Sequence, residues 1–64
     1  MEFNEKLQEL RKSRSLTQEE LAEKVFVSRQ TVSNWENDKN YPDVKSLVLM
    51  SEVFQVSLDD LVKG

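Results

Sequence analysis

Between Arg29 and Asn37 the chain gathers Arg29, Gln30, Thr31, Ser33, Asn34 and Asn37, one guanidinium among short hydrogen-bonding side chains. On a helix turning about 100° per residue, Gln30, Ser33, Asn34 and Asn37 fall on one side and Ser28, Val32 and Trp35 on the other. The second side is expected to pack inward, with Trp35 in a core or boundary role rather than as a stacking surface. Ser, Thr and Asn are poor helix formers, and a solvated face more often carries Glu and Lys pairs. Something other than helix stability therefore favours this composition. Gln and Asn can each pair with adenine N6 and N7, Arg can pair with guanine O6 and N7, and the Thr31 methyl can touch a thymine. These residue types suit readout of a DNA major groove. They suit a merely wet polar face as well, and the face alone does not decide between the two.

Other chemistry is poorly supplied. The chain has no Cys and no His, which excludes a disulfide framework and removes the usual zinc ligands. The adjacent Asp59 and Asp60 read as acids at a helix start, favoured by the helix dipole, rather than as a catalytic pair. No enzyme activity, cofactor, metal or small-molecule ligand is called for.

The elements that must position the polar face are written in caps, because Gly64 is the only Gly and Pro42 the only Pro. Asn4 precedes Leu7 and Leu10 at helical spacing and predicts a first helix to about Ser13. Thr17 with Glu20 three residues on is a capping box opening a second helix, which places Leu21, Ala22 and Val25 on one face. Ser28 caps a third helix ending near Asn37. Pro42 blocks continuation, and Asp43 caps a fourth helix to about Phe54. Ser57 with Asp60 repeats the box and starts a short fifth helix. Only Phe26, Val27 and the cap Ser28 separate the second and third helices, the connection length of a helix-turn-helix.

A chain of 64 residues, 33% of them charged, holds one domain with a modest core. Such cores supply about 3 to 5 kcal/mol of net stability, so dimerisation is an expected aid. The start of the chain carries Glu2, Glu5 and Glu9 and no apolar run, unlike a secretory signal. No stretch nears the roughly 20 apolar residues of a membrane span. A cytoplasmic chain without membrane contact is the expectation. The net charge of −3 argues mildly against nucleic acid, but DNA responds to local patches, and Arg11, Lys12, Arg14, Arg29 and Lys39 fall in the middle of the chain.

The run Gln18, Leu21, Ala22, then Val27 through Glu36, followed by Pro42, Leu47 and the ending Val56-Ser57-Leu58-Asp59-Asp60-Leu61, resembles the Xre or Cro/CI family of bacterial and phage repressors. The string SRQTVSNWE is its most specific part, and the likeness covers nearly the whole chain. It implies an all-α, five-helix, lambda-repressor-like domain over residues 1–64 with its helix-turn-helix at 17–36. It further implies sequence-specific binding to a double-stranded, pseudo-palindromic DNA operator by a transcriptional regulator, most simply a repressor bound as a homodimer.

By that resemblance Arg29, Gln30 and Asn34 are the leading base readers and Ser33 and Thr31 secondary ones. Thr17 and Gln18 contact phosphate at a helix N-terminus, where backbone N–H groups point outward. Ser28, Asn37 and Lys39 form further phosphate contacts. Thr17 also reads as a plain cap, and Lys39 as an ordinary surface lysine. Arg11 and Glu36 are expected to form an ion pair holding the third helix, with Arg11 also near phosphate. Phe26 departs from the family, which often has Gly at this turn; a Phe there is strained or shifts the turn. Leu49 and Val53 lie off the main apolar stripe of the fourth helix and are expected at the surface, where they could seed a dimer. Two rival readings are a protein-interaction module of antitoxin or antirepressor type and the N-terminal piece of a longer regulator.

Overall fold

Side chains start the helices. In the computed structural model, which describes residues 2–63, the Thr17 hydroxyl accepts from the Glu20 N–H at 3.0 Å while the Glu20 carboxylate accepts from the Thr17 N–H at 2.8 Å. Ser28, Asp43 and Ser57 accept in the same way from the N–H groups of Thr31, Ser46 and Asp60. The five helices are α1 (Phe3–Ser13), α2 (Gln18–Lys24), α3 (Arg29–Glu36), α4 (Val44–Phe54) and α5 (Leu58–Lys63), with no strand among the described residues. One cap differs from the sequence expectation. Glu2, not Asn4, occupies the cap of α1, its N–H donating to the Glu5 carboxylate at 3.3 Å. The helix therefore begins earlier and carries Phe3, whose ring lies 4.7 Å from that of Tyr41.

Backbone geometry ends the helices without glycine. Ser15, Phe26, Asp38 and Gln55 adopt φ of 58°, 61°, 60° and 57°, each just past the end of α1, α2, α3 and α4. At each site two backbone bonds close the Schellman pattern; after α2 they run from Phe26 to the Glu23 carbonyl and from Val27 to the Ala22 carbonyl. The turn before α3 is thus the one a glycine would make, with a phenylalanine making it. The Phe26 side chain is 80% exposed, so no burial offsets its left-handed backbone.

The core gathers Leu7 of α1, Leu21 and Ala22 of α2, Val25 just after it, Val32 and Trp35 of α3, Leu47, Met50 and Phe54 of α4 and Leu61 of α5. Trp35 is buried, as its place beside Val32 predicts. Leu49 and Val53 are not surface residues: both are half-buried against the core, because the buried face of α4 is wider than the Leu47, Met50 and Phe54 stripe. The exposed apolar residues of that helix are Val44 and Val48. Among the described residues no helix is long and apolar enough to cross a membrane.

Candidate nucleic-acid interface

The hydrogen-bonding side chains singled out in the sequence come together on the outer side of α3 and are tied to one another. The Gln30 amide nitrogen donates to Asn34 Oδ1 at 3.0 Å. The Ser28 and Thr31 hydroxyls lie 2.9 Å apart in a hydrogen bond. The Asn37 amide donates to the Ser33 carbonyl at 2.9 Å and to the Ser33 hydroxyl at 3.2 Å. These partners sit three or four residues apart, the spacing at which helical side chains meet. Arg29, Gln30 and Asn37 are exposed, whereas Thr31, Ser33 and Asn34 are half-buried.

Ser28 does not join Val32 and Trp35 on the inward side. It is exposed, because as the cap it precedes the helix and its side chain folds back to the Thr31 N–H at 3.2 Å; helical angles do not apply to it.

A second cluster holds the far end of α3. Glu36 is 4% exposed and accepts from Arg11 Nε at 2.6 Å and from Arg11 Nη2 at 3.1 Å. That two-pronged geometry is the strong form of an Arg–carboxylate pair. Its other donors were not foreseen: Gln18 Nε2 reaches Glu36 Oε1 at 2.9 Å, and Gln8 Nε2 reaches the Glu36 backbone carbonyl at 2.8 Å. Arg11 Nη1 also donates to the Leu16 carbonyl at 2.8 Å, in the link between α1 and α2. Gln8 and Arg11 sit three apart on one face of α1, which is the only local sign that Gln8 joins the expected Arg11–Glu36 pair. No buried side-chain nitrogen or oxygen among the described residues lacks a partner.

The residues matched to phosphate contacts divide in two. Thr17 at the start of α2, Ser28 at the start of α3, and Asn37 and Lys39 just past its end are exposed. Arg11 and Gln18 are half-buried and engaged with Glu36. The first-turn N–H groups of Gln18 and Glu19 have no acceptor within the helix and face outward. The first turn of α3 carries no acid, whereas that of α2 carries Glu19 and Glu20. Beyond α3 the Asp43 carboxyl is held below its ordinary range, first by the Ser46 backbone N–H it accepts from and then by the Ser46 side chain.

The helix-turn-helix family model matches residues 7–61. The HTH-type transcriptional activator BcrR of Enterococcus faecalis is 53% identical over 64 residues, covering 100% of this chain and 31% of that protein. The uncharacterized HTH-type transcriptional regulator YqaE of Bacillus subtilis is 39% identical over 62 residues, covering 97% of this chain and 53% of that protein. The chain thus spans about a third and about half of these two relatives. Among solved structures, the P22 c2 repressor protein in complex with the synthetic operator 9T superposes with a TM-score of 0.94 at 31% identity, covering 100% of this chain and 97% of that one. With its two capped helices joined by a four-residue link and that match over most of its length, the chain belongs to the helix-turn-helix family of the Xre or Cro/CI type.

Proposed function

We propose that residues 1–64 act as one DNA-binding unit of a transcriptional regulator, its helix-turn-helix at 17–36 docking on a double-stranded operator. Helix α3 lies in the major groove, with Arg29, Gln30 and Asn34 reading bases and Ser33 and Thr31 assisting. Thr17 and Gln18 hold the backbone of one strand through the start of α2, and Ser28, Asn37 and Lys39 hold it on either side of α3. Such contacts set register, while base contacts select sequence. The observation that carries the reading is the outer face of α3, where Ser33 and Asn34, poor helix formers, occupy positions that a solvated helix gives to Glu and Lys. The superposition on a repressor solved with its operator supports it.

Arg11 serves mainly to hold α3 through Glu36, and the N–H groups it does not use there or on the Leu16 carbonyl are left for phosphate. One copy offers few cations, so affinity calls for two copies on a pseudo-palindromic site with half-sites about 34 Å apart. Cα extents of 24 × 22 × 22 Å let two copies lie side by side within that spacing. Repression by occupancy from the cytoplasm is the simplest regulatory use, since it needs no surface beyond the DNA-binding one.

Selection of bound duplexes from a random pool tests the reading. An enriched, two-fold symmetric sequence is expected, with sedimentation showing two copies on it. Binding that remains indifferent to sequence would refute it.

A further inference from the structure

The bond between Gln30 and Asn34 does more than tidy the surface of α3. Gln30 Nε2 donates to Asn34 Oδ1 at 3.0 Å, and this ties the facing of one amide to that of the other. Gln30 is left with its Oε1 acceptor and a second N–H. Asn34 is left with two N–H donors and half of its acceptor capacity. The amide of Gln30 thus presents an acceptor and a donor side by side, the complement of adenine N6–H and N7. A guanine at that place would set its O6 acceptor against Gln30 Oε1, an acceptor facing an acceptor. A half-turned Gln30 amide would remove that discrimination and set Oε1 against Asn34 Oδ1, so Gln30 cannot turn unless Asn34 turns with it. Gln30 is exposed while Asn34 is half-buried, so the more enclosed side chain serves as the anchor for the more open one.

We propose that Asn34 is a positioning residue that makes Gln30 an adenine reader, so that the two side chains read neighbouring base pairs as one unit. This rests on the DNA-reading role of α3 and adds that the two positions are coupled. The free Asn34 Nδ2 hydrogens then suit an acceptor on the adjoining pair, thymine O4 or guanine N7.

Replacing Asn34 by Asp separates the two roles. Asp keeps an oxygen to accept from Gln30 and loses the donors that would read the neighbouring base; Ala loses both. The experiment is selection from a random duplex pool with the 64-residue chain and its Q30A, N34A and N34D variants, scored by base preference at each position rather than by affinity. Thermal melts of each variant verify folding. The base pair at which Q30A abolishes preference defines the one read by Gln30. Asn34→Ala is expected to lower adenine preference there by about tenfold, and Asn34→Asp to restore it while preference at the neighbouring pair stays lost. Two results overturn the coupling: Asn34→Ala leaving the Gln30 position untouched, or Asn34→Asp failing there as completely as Asn34→Ala. A wild-type chain that enriches no sequence refutes the DNA-reading role itself, a different failure from either of these.

Discussion

Replacing Glu36 by Gln is the sharpest test of how the recognition helix is held. The carboxylate accepts from two nitrogens of Arg11 and from Gln18, in surroundings where the Arg11 side chain is 12% exposed and Glu36 4%. A glutamine keeps the shape but turns one acceptor into a donor facing donors. It also leaves the guanidinium without a counter-charge in a largely dehydrated place. Removing one partner of a buried pair costs about 3 to 5 kcal/mol. The retained carbonyl can keep one bond, so about 3 kcal/mol is the expected loss. For a domain this small each kcal/mol moves the melting temperature by about 4 to 8 °C, giving a fall of about 12 to 24 °C. Circular dichroism at neutral pH measures it directly. Replacing Arg11 and Glu36 together by methionine should recover much of the loss, because an apolar pair leaves no orphaned charge. A Glu36→Gln variant melting within about 4 °C of the parent would refute the reasoning, since that shift corresponds to no more than about 1 kcal/mol.

Three other measurements probe separate parts of the molecule. Phe26→Gly should stabilise by about 0.5 to 1 kcal/mol, since relief of the left-handed backbone of an L-residue outweighs glycine's extra chain entropy and an 80% exposed ring loses little burial; a lower melting temperature would contradict this. Asp43 has its carboxyl pKa depressed in the folded state, so its contribution is fully present above the unfolded value and is lost as pH falls through the folded one. The stability gap between parent and Asp43→Ala should accordingly narrow in acid below the usual carboxylate range, and a gap that widens there would be inconsistent with the capping bond. Lys39→Ala should make the plot of log affinity against log salt shallower by about 0.9 per copy while leaving sequence preference unchanged, as loss of one phosphate contact requires; an unaltered slope would remove Lys39 from the interface.

Local features were the readable ones. Thr17, Ser28, Asp43 and Ser57 announced four helix starts because a cap and its target amide lie within one turn. Asn4 misled because it is a good cap two residues inside a helix that Glu2 and Glu5 had already begun. A helical angle points Ser28 inward, but that angle holds only for residues within the helix. The α2–α3 turn is half legible: Phe26 stands where the family often has glycine, but nothing local says that a phenylalanine will accept φ of 61° to complete two backbone bonds. The Arg11–Glu36 pair came from family resemblance. Its partners Gln8 and Gln18 did not, since they lie 28 and 18 residues from Glu36 and no periodicity links them.

These long-range bonds answer the question raised by the composition of α3. Eight residues, with Thr31, Ser33 and Asn34 among them, make a helix too short to stand alone. Its first turn is fastened by the Ser28 cap and its inner face by burial of Val32 and Trp35. The last turn is gripped through Glu36 by three residues of other helices. Stability supplied from outside releases the outer positions from any duty to favour helix, so side chains suited to base edges can occupy them. Gln18 makes the coupling explicit, for the same side chain that opens α2, at the end assigned to phosphate, also holds Glu36 at the end of α3. In the proposed docking, the element that holds the DNA backbone and the element that selects sequence are thereby fastened together, which would keep the reading face in place once the backbone contacts have formed.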